Sequence, residues 1–198
     1  EVGTFMNLPR TLPGEQCAAA VLGIPFDCGL HPVRVGSRMG PAAIRQQSSL
    51  VRPHQPPLWD FNLLEAMNMV DCGDVDVVLG DIIETFERIE RAVEVILAAG
   101  ATPITFGGDG SITLPQLRAV HKHHPELVVL HFDAHTDTYP DEEPPTLGSN
   151  TSAFNPATTF SRAAEEGVWL HHEAARLASP AFSAGDLARA VKPAMASF

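Results

Sequence analysis

Short apolar runs alternate with helix-type patterns over the first two thirds of the chain. The apolar runs predict four buried strands, at residues 18–23, 67–71, 102–106 and 127–132. Helical spacing of apolar side chains predicts helices over 81–99 and 114–123, and Pro41 marks the start of another over 42–47. Strands that are unbroken apolar runs, separated by helices, are typical of a parallel sheet covered by helices on both faces. The pattern therefore predicts an α/β fold.

The alternation stops after Tyr139. Residues 140–158 form an acidic, proline-rich segment, longer than the usual connection inside a domain, which is typical of a functional lid or a disordered loop. Beyond it, 160–166 and 185–191 are predicted to be helical, and no further strand is predicted. We therefore interpret residues 1–198 as a single, partial α/β domain that is truncated on its C-terminal side.

Composition and charge exclude several classes of protein. Hydrophobic residues make up 44% of the chain, and no run approaches the ~18 apolar residues of a membrane span. The N-terminus lacks the pattern of a secretory signal, so a cytoplasmic location is expected, with Cys17, Cys28 and Cys72 as free thiols. The net charge of −11, without a basic stripe, argues against a nucleic-acid partner.

Two loops follow predicted strands and carry polar residues. Gly107–Ser111 follows the third strand, and Asp133–Asp137 follows the fourth. Ligands of open α/β sheets lie beyond the carboxyl ends of the strands. Because consecutive strands joined by a crossover helix are usually neighbours, we expect the two strands to be adjacent and the two loops to lie side by side.

The second loop presents a candidate metal site. Asp133, His135 and Asp137 occupy alternating positions, which point the same way in an extended segment. Carboxylates with an imidazole suit a divalent metal such as manganese, and two such ions about 3.5–4 Å apart could hold a bridging hydroxide. The alternative is an ordinary turn with helix-capping aspartates.

Several blocks in this sequence resemble the ureohydrolase (arginase and agmatinase) family. His131–Tyr139 (HFDAHTDTY) resembles the family's metal motif, most like the agmatinase and guanidino-acid hydrolase branch, and Gly107–Ile112 (GGDGSI) resembles its Gly-Gly-Asp-His-Ser. Gly23–Asp27 and Gly36–Arg45 resemble its N-terminal signature. The similar blocks occur in the family's order from residue 18 to about residue 167.

This resemblance implies a three-layer α/β/α fold with a mainly parallel, arginase-like sheet. It also implies a binuclear manganese centre that hydrolyses a C–N bond of a guanidino compound, agmatine or a guanidino acid, to urea and an amine. Asp133, His135 and Asp137 match metal ligands of the family, and Asp137 also matches a catalytic acceptor of a hydrogen bond from the bridging hydroxide. A homo-oligomer, trimer or hexamer, is implied as well.

The sequence departs from the family at positions that matter for the chemistry. Gly110 stands where the family has its first histidine ligand, and Pro156 stands where it has a histidine implicated in proton transfer. The later Asp-x-Asp motif, which supplies two carboxylates, is missing, so three of six expected ligands remain. We therefore expect weak or single-ion binding and impaired activity.

Two rival interpretations follow from these departures. The first is a non-catalytic relative that serves oligomer assembly or regulates an active enzyme. The second is another enzyme of related architecture, such as a deacetylase-like zinc amidohydrolase. The two aspartates flanking His135 and the N-terminal signature argue against the second.

Histidines 121, 123 and 124, and histidines 171 and 172, are weaker metal candidates on predicted helix ends. Cys28 could be a nucleophile, although a buried small thiol is the commoner case.

Overall fold

The computed structural model describes residues 3–28, 35–54, 56–57, 60–133, 135–138 and 158–174. The strands are β1 (Ala19–Gly23), β2 (Met69–Asp74), β3 (Thr102–Phe106), β4 (Val128–Asp133) and β5 (Trp169–Ala174). The α-helices are α1 (Gly40–Ser48), α2 (Leu63–Met67), α3 (Ile82–Ala98), α4 (Thr113–His123) and α5 (Thr159–Glu165). Short 3-10 helices span Phe5–Asn7, Ser37–Met39 and Gly110–Ile112.

The strands within the described ranges form two parallel sheets. One has the order β2-β1-β3, and the other pairs β4 with β5. Ala19 lies opposite both Met69 and Thr102, and Val128 lies opposite Trp169. The central strand β1 is buried along its whole length. Parallel strands separated by helices confirm the predicted α/β class.

Alternate side chains of β1 belong to two separate apolar clusters. Ala20 and Leu22 pack in the cluster that contains α3 and the start of α4, whereas Ala19 and Val21 pack in the cluster that contains Leu8 from the N-terminal segment. Successive side chains of a strand point to opposite faces of the sheet. The first sheet is therefore a middle layer with apolar side chains packed on both faces.

Helix α3 shows how closely the sequence pattern determines an element. The side-chain oxygen of Asp81 accepts a hydrogen bond from the backbone N–H of Glu84 at 3.0 Å, which caps the first turn. Gly100, at φ 75°, ends the helix in the left-handed conformation that favours glycine. The apolar stripe is buried, with Ile89 and Ile96 almost fully inaccessible. The predicted helix over 81–99 is confirmed.

A buried ion pair fastens α1 and the N-terminal segment to β2. The guanidinium of Arg45 donates to both carboxylate oxygens of Asp71, at 2.8 and 2.9 Å, and also to Asp74. Asp71 is fully buried and further accepts from the backbone N–H groups of Phe5 and Gly73. Burial raises the pKa of Asp71, but the Arg45 hydrogen bonds and the two backbone donors outweigh it, so the pKa lies below its ordinary value.

The strand predicted over 67–71 is wrong at its start. Met67 ends helix α2, which Asn62 caps by accepting the N–H of Leu64 at 3.1 Å. Asn68 then adopts a left-handed conformation at φ 43°, and the strand runs from Met69 to Asp74. Capping and a left-handed asparagine break the apolar run, and neither shows in the hydrophobic pattern.

Two further predictions need correction. A fifth strand exists, and histidines 171 and 172 lie within it and not on a helix end; its polar run His171–Glu173 hides it from a hydrophobicity pattern. In addition, β3 and β4 are not paired in the described part of the chain, although one crossover helix joins them.

Some predictions fall outside the structure, and others are confirmed. Residues 140–157 of the acidic segment and the helix predicted over 185–191 lie outside the described residues. The helices predicted over 42–47, 114–123 and 160–166 are confirmed to within a few residues. No helix within the described ranges is long and apolar enough to cross a membrane.

Candidate metal centre

The loops that follow β3 and β4 meet at one place. A Cβ atom built on Gly110 would lie 3.3 Å from the Oδ2 atom of Asp137. The start of α5 closes the same place: the N–H of Phe160 donates to the carbonyl of Asp137 at 3.0 Å, and the hydroxyl of Thr159 donates to the carbonyl of Gly110 at 3.4 Å. The prediction that the two loops lie side by side is confirmed at these atoms.

The Gly107–Ser111 loop is held by close backbone contacts to the segment after β1. The N–H of Gly108 donates to the carbonyl of Ile24 at 3.2 Å, and the N–H of Asp109 donates to the carbonyl of Phe26 at 3.1 Å. A Cβ atom at position 108 would lie 1.8 Å from the Phe26 carbonyl oxygen. Glycine at this position therefore permits an approach that any side chain would block.

The carboxylate of Asp109 organises the same loop. It accepts the backbone N–H of Cys28 at 2.7 Å and the backbone N–H of Ser111 at 3.0 Å, and the Ser111 hydroxyl donates to it as well. Sequence reasoning singled out this loop for its glycines but missed the aspartate. A useful signal was present, since an aspartate two residues before a serine at a helix start is a common local capping arrangement.

Two residues of the N-terminal signature, Asp27 and Arg38, form an ion pair next to this loop. Asp27 is buried and accepts both 2.9 Å hydrogen bonds of the Arg38 guanidinium, together with the N–H of Gly36 at 3.2 Å. Burial raises the pKa of Asp27, but the donors on Arg38 and Gly36 outweigh it and lower the pKa. These contacts join the two ends of the segment 28–36 and give the signature a structural role.

Asp133 and His135 lie together at the end of β4. The N–H of His135 donates to Oδ1 of Asp133 at 2.9 Å, and the His135 ring nitrogen Nδ1 lies 3.4 Å from the same oxygen. The backbone hydrogen bond from His135 lowers the pKa of Asp133, against a smaller opposing effect of burial, and the nearby imidazoles of His131 and His135 lower it further. An ionised carboxylate beside an imidazole is suited to binding a divalent cation.

Asp137 lies two residues after His135, next to position 110. Its backbone has φ 51°, a left-handed conformation that aspartate adopts more readily than most residues. Within the described ranges, no three His, Cys, Asp or Glu side chains are gathered closely enough to hold an ion. The donor types of Asp133, His135 and Asp137 suit manganese, but their number and placement do not fit a two-ion centre. Their assignment as ligands stays a prediction.

The other candidates lie away from this place or outside the structure. Helix α4 begins beside the Gly107–Ser111 loop, and its last turn carries histidines 121 and 123, with His124 directly after it. The length of the helix places these histidines about 15 Å from its start, and so away from the loop. Pro156 lies outside the described residues.

The thiol of Cys28 lies near Ser111 and Asp109. Burial raises the pKa of this thiol to about 12, against a lowering contribution from Ser111. A thiol of such high pKa does not act as a nucleophile near neutral pH.

Comparisons with known proteins identify the family of this chain. The family model described as "Arginase family" matches residues 17–191. An agmatinase of Shigella sonnei (strain Ss046) is 41% identical over 167 residues, which cover 83% of this chain and 51% of the relative. This chain therefore spans about half the length of the curated relatives that it matches.

Solved structures give the same result. Proclavaminate amidino hydrolase from Streptomyces clavuligerus superposes with a TM-score of 0.72 at 27% identity, over 96% of this chain and 62% of that one. A formiminoglutamase of Trypanosoma cruzi, solved with Mn2+, superposes with a TM-score of 0.65 at 25% identity, over 83% of this chain and 53% of that one. The predicted arginase-like α/β architecture is confirmed. This chain belongs to the arginase family.

Proposed function

We propose that this chain takes part in the hydrolysis of a guanidino compound, agmatine or a guanidino acid, to urea and an amine. The observation that carries the proposal is the meeting of the two loops, where a Cβ atom built on Gly110 would lie 3.3 Å from the Asp137 carboxylate. Asp133 and His135 lie together at the end of β4 beside it. Membership of the arginase family and similarity to agmatinases support the same reaction.

Within this proposal, Asp133, His135 and Asp137 are the manganese ligands, and Asp137 is also the catalytic carboxylate. The manganese-bound formiminoglutamase among the structural neighbours supports the choice of metal. Because Gly110 has no side-chain donor atom, the two described loops offer at most the three predicted side-chain ligands. We therefore expect this chain alone to bind a single ion weakly.

Calorimetric titration with manganese tests the ligand assignment. We expect at most one site, and we expect Asp133→Asn to abolish it. The matched control is Asp60→Asn, which removes the same charge from a side chain that is 99% exposed. Two tightly bound ions per chain, or unchanged binding by Asp133→Asn, would contradict the assignment.

A second candidate function is a non-catalytic relative that assembles with or regulates an active enzyme. The observation that favours it is Gly110, which places no side chain where the two loops meet. Urea release from agmatine and a panel of guanidino acids, with excess manganese, separates the two candidates. Under the non-catalytic interpretation neither the natural chain nor Gly110→His releases urea, since one added imidazole cannot replace a missing pair of carboxylates. Turnover by either protein would refute that interpretation.

The assembly and location implied by the family remain part of the proposal. A homo-oligomer, trimer or hexamer, is tested by light scattering coupled to size-exclusion chromatography. A cytoplasmic location is tested by fractionation of the source cells.

A further inference from the structure

The start of helix α5 contacts both loops of the candidate metal centre from outside them. The hydroxyl of Thr159 donates to the carbonyl of Gly110 at 3.4 Å, and the N–H of Phe160 donates to the carbonyl of Asp137 at 3.0 Å. Thr159 is fully buried, and Phe160 is 4% exposed. Two neighbouring residues of α5 therefore connect the loop after β3 to the loop after β4.

The ring of Phe160 makes a third contact, with strand β4 itself. It packs against the imidazole of His131, with the ring centroids 4.3 Å apart and the ring planes inclined at 41°. His131 lies two residues before Asp133 in β4, and side chains two positions apart lie on the same face of a strand. The Phe160 ring therefore rests on the face of β4 that also carries Asp133.

Helix α5 is anchored independently of the loop that contains Asp137. Ala163 and Val168 belong to the apolar cluster that contains α3 and the start of α4. Glu166, directly after α5, accepts hydrogen bonds from the guanidinium of Arg118 in α4 at distances between 2.6 and 3.0 Å. The position of Phe160 is therefore set by the core and by α4.

The loop that contains Asp137 is, in contrast, largely exposed. The side chain of His135 is 81% exposed, and Thr136 and Thr138 are exposed as well. Asp137 has φ 51°, a left-handed conformation that is less favourable for a residue with a side chain than for glycine. Such a conformation persists where surrounding contacts stabilise it, and the hydrogen bond from Phe160 is one of these contacts.

We propose that Phe160 is a positioning residue of the candidate metal centre. Its ring supports the face of β4 that carries Asp133, and its N–H holds the backbone of Asp137, so together they set the distance between these two predicted ligands. Phe160 acts through those residues and touches neither metal nor substrate. A loop that is already held in place loses less freedom when an ion binds, so the metal affinity depends on this contact. The inference rests on the proposed function, because it assigns Asp133 and Asp137 to an ion.

The test compares two variants of the full chain. Phe160→Leu removes the ring and keeps both the backbone N–H and an apolar side chain. The matched control is Val168→Ala, which removes apolar volume from a buried side chain beyond the end of α5. The first readout needs no metal: in chelator, nitrogen-15 relaxation should give the Asp137 amide an order parameter of about 0.85 in the natural chain and in Val168→Ala, and below about 0.6 in Phe160→Leu.

The second readout is the manganese affinity, measured by calorimetry. Phe160→Leu should bind manganese at least about fivefold more weakly than the natural chain, whereas Val168→Ala should stay within about twofold of it. Circular dichroism shows whether each variant is folded. If Phe160→Leu fails to fold, His131→Leu removes the same ring contact from the side of β4 and should reproduce the loss of order. His131→Phe keeps a ring against Phe160 and should retain the order parameter of the natural chain.

The two readouts separate this proposal from the proposed function. If the natural chain binds no manganese, the proposed function is contradicted, and the order parameters in chelator still decide whether Phe160 positions the loop. An order parameter of Asp137 that is the same in Phe160→Leu and in the natural chain, or a fall of equal size in Val168→Ala, would overturn the proposal. Manganese binding that is equally tight in Phe160→Leu and in the natural chain would overturn it as well.

Discussion

The contact of Gly108 with the segment after β1 predicts a large effect of adding one methyl group. In the Gly108→Ala variant the new Cβ atom would lie 1.8 Å from the Phe26 carbonyl oxygen and 3.1 Å from the Ile24 carbonyl oxygen, whereas real Cβ contacts essentially never fall below 3.0 Å. Both atoms are backbone atoms, so no side-chain rotation relieves the clash. The Gly107–Ser111 loop must therefore move away from β1.

The magnitude follows from the hydrogen bonds that the movement breaks. The backbone bonds from Gly108 and Asp109 contribute about 1 kcal/mol each, and the charged bond from Cys28 to the Asp109 carboxylate contributes about 1.5 kcal/mol or more. Alanine recovers about 0.4–1 kcal/mol through a less flexible unfolded chain. We expect the free energy of unfolding to fall by about 2–4 kcal/mol.

Equilibrium urea denaturation followed by circular dichroism measures this change. With a slope of about 2 kcal/mol per molar urea, the midpoint should fall by about 1–2 M. The matched control is Gly80→Ala, because a Cβ atom at Gly80 meets nothing within 4 Å. Its midpoint should not fall, and the less flexible unfolded chain should raise it by at most about 0.5 M. Gly110→Ala should lie between the two, since the group that it meets is the movable Asp137 carboxylate. If Gly108→Ala matches Gly80→Ala, the reasoning about this loop is refuted.

Two further predictions rest on pKa shifts. The folded-state pKa of Asp71 lies below its ordinary value, so the stability it contributes is present above about pH 4 and is lost as the pH falls below it. Asp71→Asn removes the buried carboxylate that accepts two hydrogen bonds from the Arg45 guanidinium and leaves Asp74 as its remaining charged partner. The change should cost up to about 3–5 kcal/mol at pH 7, with a smaller difference from the natural chain at pH 3, measured by urea denaturation. With a pKa of about 12, Cys28 should react with iodoacetamide at pH 8 at least about 100-fold more slowly in the folded chain than in urea, measured by mass spectrometry of the peptide; equal rates would contradict the burial.

The hydrophobic pattern predicted the elements well because their apolar periodicity is also what packs them. The stripe on α3 and the run that forms β1 are each continuous in sequence and buried in the fold. The pattern failed where a polar residue decides the backbone, as at Asn68, which turns the chain between α2 and β2. It failed again at β5, where His171 and His172 continue a strand that hydrophobicity does not mark.

The candidate site could be predicted in part. The rule that ligands lie beyond the carboxyl ends of strands predicted that the loops containing Gly110 and Asp137 lie together. In the structure these two loops do meet, at Gly110 and the Asp137 carboxylate. The support of the site was not predictable in the same way. The contacts of Gly108 and Asp109 join segments about 80 residues apart, and a spacing rule within one loop carries no information about them.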